Sequence, residues 1–319
     1  MSNKLEDEDW DLLLRRIKDG KCTPFLGAGV CAGKIPVYSQ IASKWAKDYD
    51  YPMKDSDDLI QVAQFVAVTA DTMTPKEEIC KKIREKLKEV APSYFDNPYE
   101  LHRVLADLPL PVYITTNYDD LMEQALKSRD KTPIQEICRW NKYAMQFKRT
   151  SSDYVPTREK PLVFHLYGTY EIKGSLVLTE YDYLDFLAAI SRTATLSKQN
   201  ILPLRIQEAF TDTSLLFLGY RIADWDFHVL FRILADYLKE RDRMHISVQL
   251  VPGNVSEDRK EKAQKYLIKY FSDLNIHVYW QDCCEFVKEL RKRWTEKERA
   301  EKEQAEKEWA EKEAFNHGT

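Results

Sequence analysis

Glycine is scarce in this chain, with nine residues in 319. Flexible glycine-rich linkers are excluded by that, and any close cluster of glycines carries weight. Cysteine is thin as well. The six cysteines (Cys22, Cys31, Cys80, Cys138, Cys283 and Cys284) form no C-x-x-C pair. Adjacent Cys283 and Cys284 cannot readily hold one metal with both thiolates. Neither a structural zinc site nor a disulfide framework is expected, and a reducing cytoplasm is the implied compartment. No stretch approaches the ~20 apolar residues of a membrane span. Met1 to Trp10 is acidic and polar, unlike a secretory leader. Positive charge is not in excess either. A net charge of −4 gives no bulk attraction to nucleic acid or acidic lipid, so neither is an expected partner. An anionic ligand must then be held by local backbone amides and helix ends.

What remains is an ordinary globular composition, 44% hydrophobic and 31% charged, on a length that suits one large core with an insertion. Short apolar runs flanked by turn residues read as buried strands at Thr23–Leu26, Val112–Thr115, Leu162–Leu166, Ser175–Leu178, Ser214–Leu218, Ile246–Val251 and Ile276–Tyr279. Helical patterns separate most of them: Asp120–Leu126, Asp182–Ile190, Asp226–Leu238 and Glu257–Phe271. Apolar strands alternating with helices predict an α/β fold, an open parallel sheet with helices on both faces.

Residues 39–107 break the alternation. They carry helix-like runs (Leu59–Ala70, Lys76–Val90, Tyr99–Leu108) and no strand, which predicts a helical insertion after the first strand. Arg149–Lys160 reads as a surface loop. The main domain is expected over 1–290, and 291–319 as a charged tail, helical and solvated or disordered. Ala-Glu-Lys-Glu recurs there at Ala300, Ala305 and Ala310. A five-residue period spirals around a helix, so no coiled-coil seam forms.

Three turns carry candidate chemistry. Pro24-Phe25-Leu26-Gly27-Ala28-Gly29-Val30 runs a strand straight into Gly-x-Gly. Glycines there let a backbone approach a pyrophosphate, but the same pattern also serves a tight βα turn. The spacing Gly27-x-Gly29-x-x-x-Gly33, followed by Lys34-Ile35-Pro36, fits a dehydrogenase fingerprint poorly. Thr116-Asn117-Tyr118-Asp119-Asp120 ends the second strand, where open α/β sheets bind ligands; helix capping by Asn117 or Asp119 is the plainer alternative. His165 lies in an apolar strand before Tyr167-Gly168-Thr169. It is either a satisfied core residue or a general base, and Gly168 permits close approach of a ribose. His102, His245 and His277 lack metal-ligand spacing. Asp224-Trp225-Asp226 and His228 read as a helix start without chemistry, and Tyr181 and Tyr183 near Glu180 as a pocket wall or packing.

Taken in order, these segments resemble the SIR2-like (sirtuin-like) family of prokaryotic NAD-consuming proteins, many of them in anti-phage defence. Phe25-Leu26-Gly27-Ala28-Gly29-Val30, Ile114-Thr115-Thr116-Asn117-Tyr118-Asp119 and Phe164-His165-Leu166-Tyr167-Gly168 are followed by Val177-Leu178-Thr179-Glu180-Tyr181-Asp182-Tyr183. The last is Leu215-Leu216-Phe217-Leu218-Gly219-Tyr220-Arg221-Ile222-Ala223-Asp224-Trp225. The resemblance implies a Rossmann-like domain that cleaves the nicotinamide–ribose bond of NAD, with Asn117 and His165 as the catalytic pair. Gly27, Ala28, Gly29 and Val30 would then line the pyrophosphate, with Thr116, Asp119 and Gly168 beside the pair. Gly219 and Tyr220 would meet the adenosine end. Two positions depart from the pattern: Cys31 replaces a common serine, and Tyr167 the second histidine of His-x-His-Gly. The four-cysteine zinc ribbon of protein-deacylating sirtuins is missing, which favours hydrolysis without a metal. Sensing of NAD without cleavage, or transfer of ADP-ribose to protein, are the alternatives. A homo-oligomer, or a separately encoded partner such as a HerA-type ATPase, is implied for gating.

Overall fold

Cys22–Leu26 forms β1, whose five residues are all buried, and it lies at the centre of a seven-stranded sheet. In the computed structural model residues 5–35, 38–151, 153–195, 201–220, 244–249, 257–272 and 275–317 are described. The further strands are β2 (Val112–Thr115), β3 (Ile134–Ile137), β4 (Leu162–His165), β5 (Ser214–Leu218), β6 (His245–Gln249) and β7 (Ile276–Trp280). Their spatial order is β3-β4-β2-β1-β5-β6-β7, and every pairing is parallel. Strands β1, β2, β4, β5 and β6 are buried along their whole lengths, as a sheet covered on both faces requires. Pro24 is tolerated in the central strand because the ladder to β2 starts only at Phe25, opposite Ile114.

The helices follow from apolar spacing and end chemistry. In α1 (Asp7–Lys18) Trp10, Leu13, Leu14 and Ile17 are buried at helical intervals. Acids fill its first turn and Arg15, Arg16 and Lys18 its last, which suits the helix dipole. Between β1 and β2 run α2 (Tyr38–Asp48), α3 (Leu59–Thr69), α4 (Thr74–Glu89) and α5 (Leu101–Asp107), with no strand among the described residues there. Asp58 caps α3 by accepting from the N–H groups of Ile60 and Gln61. Then come α6 (Leu121–Lys127), α7 (Glu180–Thr195), α8 (Leu204–Asp212), α9 (Glu257–Ser272) and α10 (Cys283–His317). The tail continues α10 as helix to His317, and Phe286, Val287 and Leu290 near its start are fully buried. No helix among the described residues is long and apolar enough to cross a membrane.

Ser175–Leu178 is not a strand. It is buried throughout, which explains its apolar run, but a 3-10 turn at Lys173–Ser175 leads the chain across the end of β4. Of its backbone, Val177 N–H bonds the Tyr167 carbonyl. The edge strand β3 and helices α1 and α8 were not expected; half of β3 is only partly buried, so its residues lack a continuous apolar run. The predicted helix Asp226–Leu238, the Arg221–Trp225 segment and His228 lie outside the described residues.

The chain leaves β1 toward β2 on one side and returns to β5 on the other, so strand order reverses at β1. The carboxyl ends of β1, β2 and β5 therefore frame the switch point where open α/β sheets take ligands. Gly27, Asn117 and Gly219 follow those three strands.

Candidate active site

The turns after β1 and β5 interlock. Gly29 N–H donates to the Gly219 carbonyl (2.8 Å), and Gly27 N–H to the Leu218 carbonyl (2.9 Å). A Cβ on Gly29 would stand 2.8 Å from Gly219 Cα, and one on Gly219, whose φ is +78°, 2.5 Å from Val30 N. Only glycine permits backbone contact that close in that conformation. A four-residue 3-10 turn, Ala28–Cys31, follows β1 in place of an α-helix. Gly27 and Val30 are buried, Ala28 is half-buried and Gly29 is exposed, so the outer side of the turn faces solvent. Tyr220 packs over Gly27, and its hydroxyl donates to the Leu26 carbonyl (3.1 Å) and shares a 3.0 Å bond with Thr116 Oγ1. The glycines are thus required by packing against Gly219 and Tyr220, whatever ligand they also meet.

Asn117 is the centre of a second, buried cluster. Its backbone N–H bonds Thr115 Oγ1 (2.9 Å), which bends the chain off β2. Its side-chain Nδ2 donates to the Gly27 carbonyl (3.1 Å) and to the Cys31 sulfur (3.3 Å). Both amide protons are thereby used, while Oδ1 is buried without a partner. A buried acceptor left unmatched is costly, so it calls for a partner, which a ligand or a water can supply. The Cys31 thiol donates to Asp119 Oδ2 (3.4 Å), and Asp119 Oδ1 accepts from Leu121 N–H (3.1 Å). Asp119 therefore accepts from the first N–H of α6, just ahead of the cap position Asp120, and joins the cluster at once. Burial raises its carboxyl pKa and, with Asp119 close by, raises that of the Cys31 thiol.

Behind Cys31 lies a group that spacing alone does not reveal. His102 Nε2 is 3.9 Å from the Cys31 sulfur, His102 Nδ1–H donates to Glu100 Oε1 (2.8 Å), and Tyr94 hydroxyl donates to the same oxygen (2.9 Å). Burial lowers the pKa of His102, but its contact with Glu100 outweighs this and raises it. These residues come from the helices between β1 and β2, more than sixty residues from the Asn117 turn's partners in β1, and only the fold brings them there.

His165 is placed beside Asn117 through the backbone and not through the side chains. Its ring is 0% exposed, with Nδ1 3.1 Å from the Asn117 carbonyl and Nε2 2.7 Å from Glu123 Oε1 on α6. Two acceptors facing two ring nitrogens favour the doubly protonated imidazole. Burial works against this, yet Glu123 outweighs it and the pKa stands above the ordinary value. The ring faces Glu123 and the Asn117 carbonyl, while the Asn117 amide faces the glycine turn. Gly168, at φ +87°, is explained by Ser175, whose carbonyl oxygen would lie 2.4 Å from any Cβ there. Tyr167 and Tyr183 pack edge to face inside the core.

Two surface cavities, each of about 550 Å³, lie elsewhere. One lines α2 around Ser43 and Lys47. The other, with Lys18, Arg129, Lys131 and Trp294, is at the amino ends of the strands, opposite the switch point. Neither is lined by an orphaned buried polar group or an interlocked turn.

A family model described as SIR2-like domain matches residues 111–279, more than half of the chain. Among curated proteins, NAD(+) hydrolase ThsA of Enterococcus faecium is 26% identical, over 91% of this chain and 60% of that protein. The ThsA of Cytobacillus dafuensis is 24% identical over 73% of this chain and 42% of its own length. That of Acinetobacter baumannii (strain 532279) is 20% identical over 89% and 55%. The chain spans about half the length of the curated relatives it matches.

Proposed function

The chain belongs to the SIR2-like domain family, and from that membership we propose that it hydrolyses NAD to nicotinamide and ADP-ribose. The observation that carries this reading is the orphaned Oδ1 of Asn117, a fixed acceptor beside the glycine turn at the sheet's switch point. Relatives named NAD(+) hydrolase, matched along most of this chain, support it.

In the reaction, the bond between the anomeric carbon and the nicotinamide nitrogen breaks, and its electron pair neutralises the pyridinium. Water adds to the carbon and loses one proton. Positive charge builds on the ribose as the bond breaks, so groups that orient the ribose and the water lower the barrier. Asn117 Oδ1 accepts from a ribose hydroxyl or from the attacking water. Gly27, Ala28, Gly29 and Val30 receive the pyrophosphate, with Thr116 and Asp119 beside it and Gly219 and Tyr220 toward the adenosine. His165, closed on both nitrogens, acts as a positioning residue for the Asn117 backbone while Glu123 holds it. A general-base role requires the ring to be freed from Glu123.

Uncontrolled hydrolysis would exhaust the host's NAD, so the activity is gated, in the cytoplasm and through self-assembly or a partner, as an anti-phage effector. The sealed ring of His165 favours one other reading, a module that binds the dinucleotide without cutting it. Chromatography of nicotinamide released from NAD decides between them. Asn117→Ala is expected to lower release by about 10²-fold. If the wild type binds NAD but releases nothing, alone or with the products of neighbouring genes, the sensing module stands instead. Equal release by wild type and Asn117→Ala would remove the assignment of the site.

A further inference from the structure

We propose that Cys31 is a positioning residue that fixes the orientation of the Asn117 amide, so that its oxygen and not its nitrogen is presented to the ligand. An asparagine amide can turn over, exchanging acceptor for donors, and a site that needs an acceptor must prevent this. Gly27 supplies one acceptor for Nδ2 at 3.1 Å, and the sulfur of Cys31 supplies the second at 3.3 Å. The thiol is itself oriented, because its proton goes to Asp119 Oδ2 at 3.4 Å, which turns a lone pair of sulfur toward the amide. Reversing the amide would set Oδ1 against the Gly27 carbonyl and a proton-poor face of sulfur, acceptor against acceptor. Asn117 and Cys31 are each 4% exposed and Asp119 7%, so water does not compete for these bonds. Oδ1 is the polar atom of the amide that this arrangement leaves without a partner.

A sulfur serving only to fill space would not need a donor on one side and an acceptor on the other. The contrast between a polar and an apolar replacement of similar size therefore separates positioning from packing. Serine keeps one donor and two acceptor lone pairs; its shorter bonds ask for a shift of a few tenths of an ångström. Valine fills the volume and offers neither.

The inference takes the ligand from the proposed hydrolase reading, but its test has two arms. In the first, kcat and KM for nicotinamide release are measured in the full chain. Cys31→Val is expected to lose kcat by roughly ten- to a hundredfold with KM little changed, and Cys31→Ser to recover most of it. In the second, the side-chain amide of Asn117 is followed by 15N NMR, assigned by its disappearance in Asn117→Asp. Its protons exchange slowly in wild type and Cys31→Ser, and fast in Cys31→Val, with Cys31→Ala as the substitute should valine prevent folding. Valine matching wild type in amide protection, or serine and valine failing alike, overturns the role of Cys31. Absence of nicotinamide release from wild type fails the hydrolase reading alone, because the amide arm still decides the positioning claim.

Discussion

Two buried histidines set the behaviour of this protein at the scale of single residues. Burial alone would drive His165 toward its neutral form; Glu123 from α6, with the Asn117 carbonyl and Asp119, reverses that and holds its pKa above 6.5. Gln135 of β3 also faces the ring, at 3.4 Å, and brings no charge. His102 is raised in the same way by Glu100, with Asp119 and Glu123 adding to it. A histidine pKa raised by folding contributes stability that is complete below the unfolded value and is lost as pH rises through the folded one. Asp119, raised by burial, has the same sign, since the folded protein binds its proton more tightly. Glu100 and Asp107 are lowered and lose their contribution only on the acid side of about pH 4.5 and 3.8, the ordinary values. The urea midpoint is therefore expected to fall as pH rises above about 6.5, and Glu123→Gln to flatten part of that fall. Urea titrations between mildly acidic and mildly basic pH check this, and a midpoint that climbs over that interval contradicts it.

Among the elements, α7 shows how a local signal becomes a long-range tie. Thr179 Oγ1 accepts from Asp182 N–H (3.2 Å) while Asp182 Oδ2 accepts from Thr179 N–H (2.9 Å), a reciprocal cap that starts the helix. The remaining oxygen, Oδ1, takes Lys76 Nζ of α4 at 2.6 Å, with both side chains nearly buried. Lys76 also lies over the Trp140 ring. The helices between β1 and β2 are thus clamped to the segment after β4, and Lys173–Glu77 and Tyr181 N–H to Gln64 add to the same seam. Removing one partner of a buried pair leaves the other charge without compensation, at a cost of about 3–5 kcal/mol. Asp182→Asn, which keeps the cap acceptor, is expected to be destabilised by less than Asp182→Ala. Equilibrium urea unfolding of the two variants would show the difference, and equal losses would mean that the cap contributes nothing beyond the ion pair.

Across the whole molecule, α10 divides into a docked start and an exposed remainder. Phe286 stacks on Trp10 of α1 and packs against Tyr279 of β7, and Arg291 reaches Asp107 of α5 at 3.1 Å. Beyond Trp294 the described side chains are mostly exposed, and an ion pair back to the body, Lys18–Glu301, joins half-exposed groups. Surface pairs of that kind contribute about 0–1 kcal/mol. Ending the chain after Glu298 is therefore expected to leave the unfolding free energy within about 1 kcal/mol. Phe286→Ala is expected to cost about 3–5 kcal/mol, because it opens a cavity where α1, β7 and α10 meet. A large loss on truncation would show that the exposed part of α10 is docked.

The alternation of apolar strands with helices was legible because each strand of a doubly covered sheet must be apolar on both sides, and Val112–Thr115 and Ser214–Leu218 match their strands residue for residue. Asn117 and the Gly27–Gly29 turn were legible for the same reason, since polar residues and glycines standing at the end of such a run have no place in its core. Burial and pairing are different matters, and Ser175–Leu178 shows it: its apolar side chains declare the first, while only the 3-10 turn before it decides the second. The direction of the His165 ring, the thiol of Cys31 between Asn117 and Asp119, and the nearness of His102 were settled by tertiary structure alone. Those contacts join residues between 42 and 88 positions apart. No local pattern encodes them, because they exist only once β1, β2, α5 and α6 have packed.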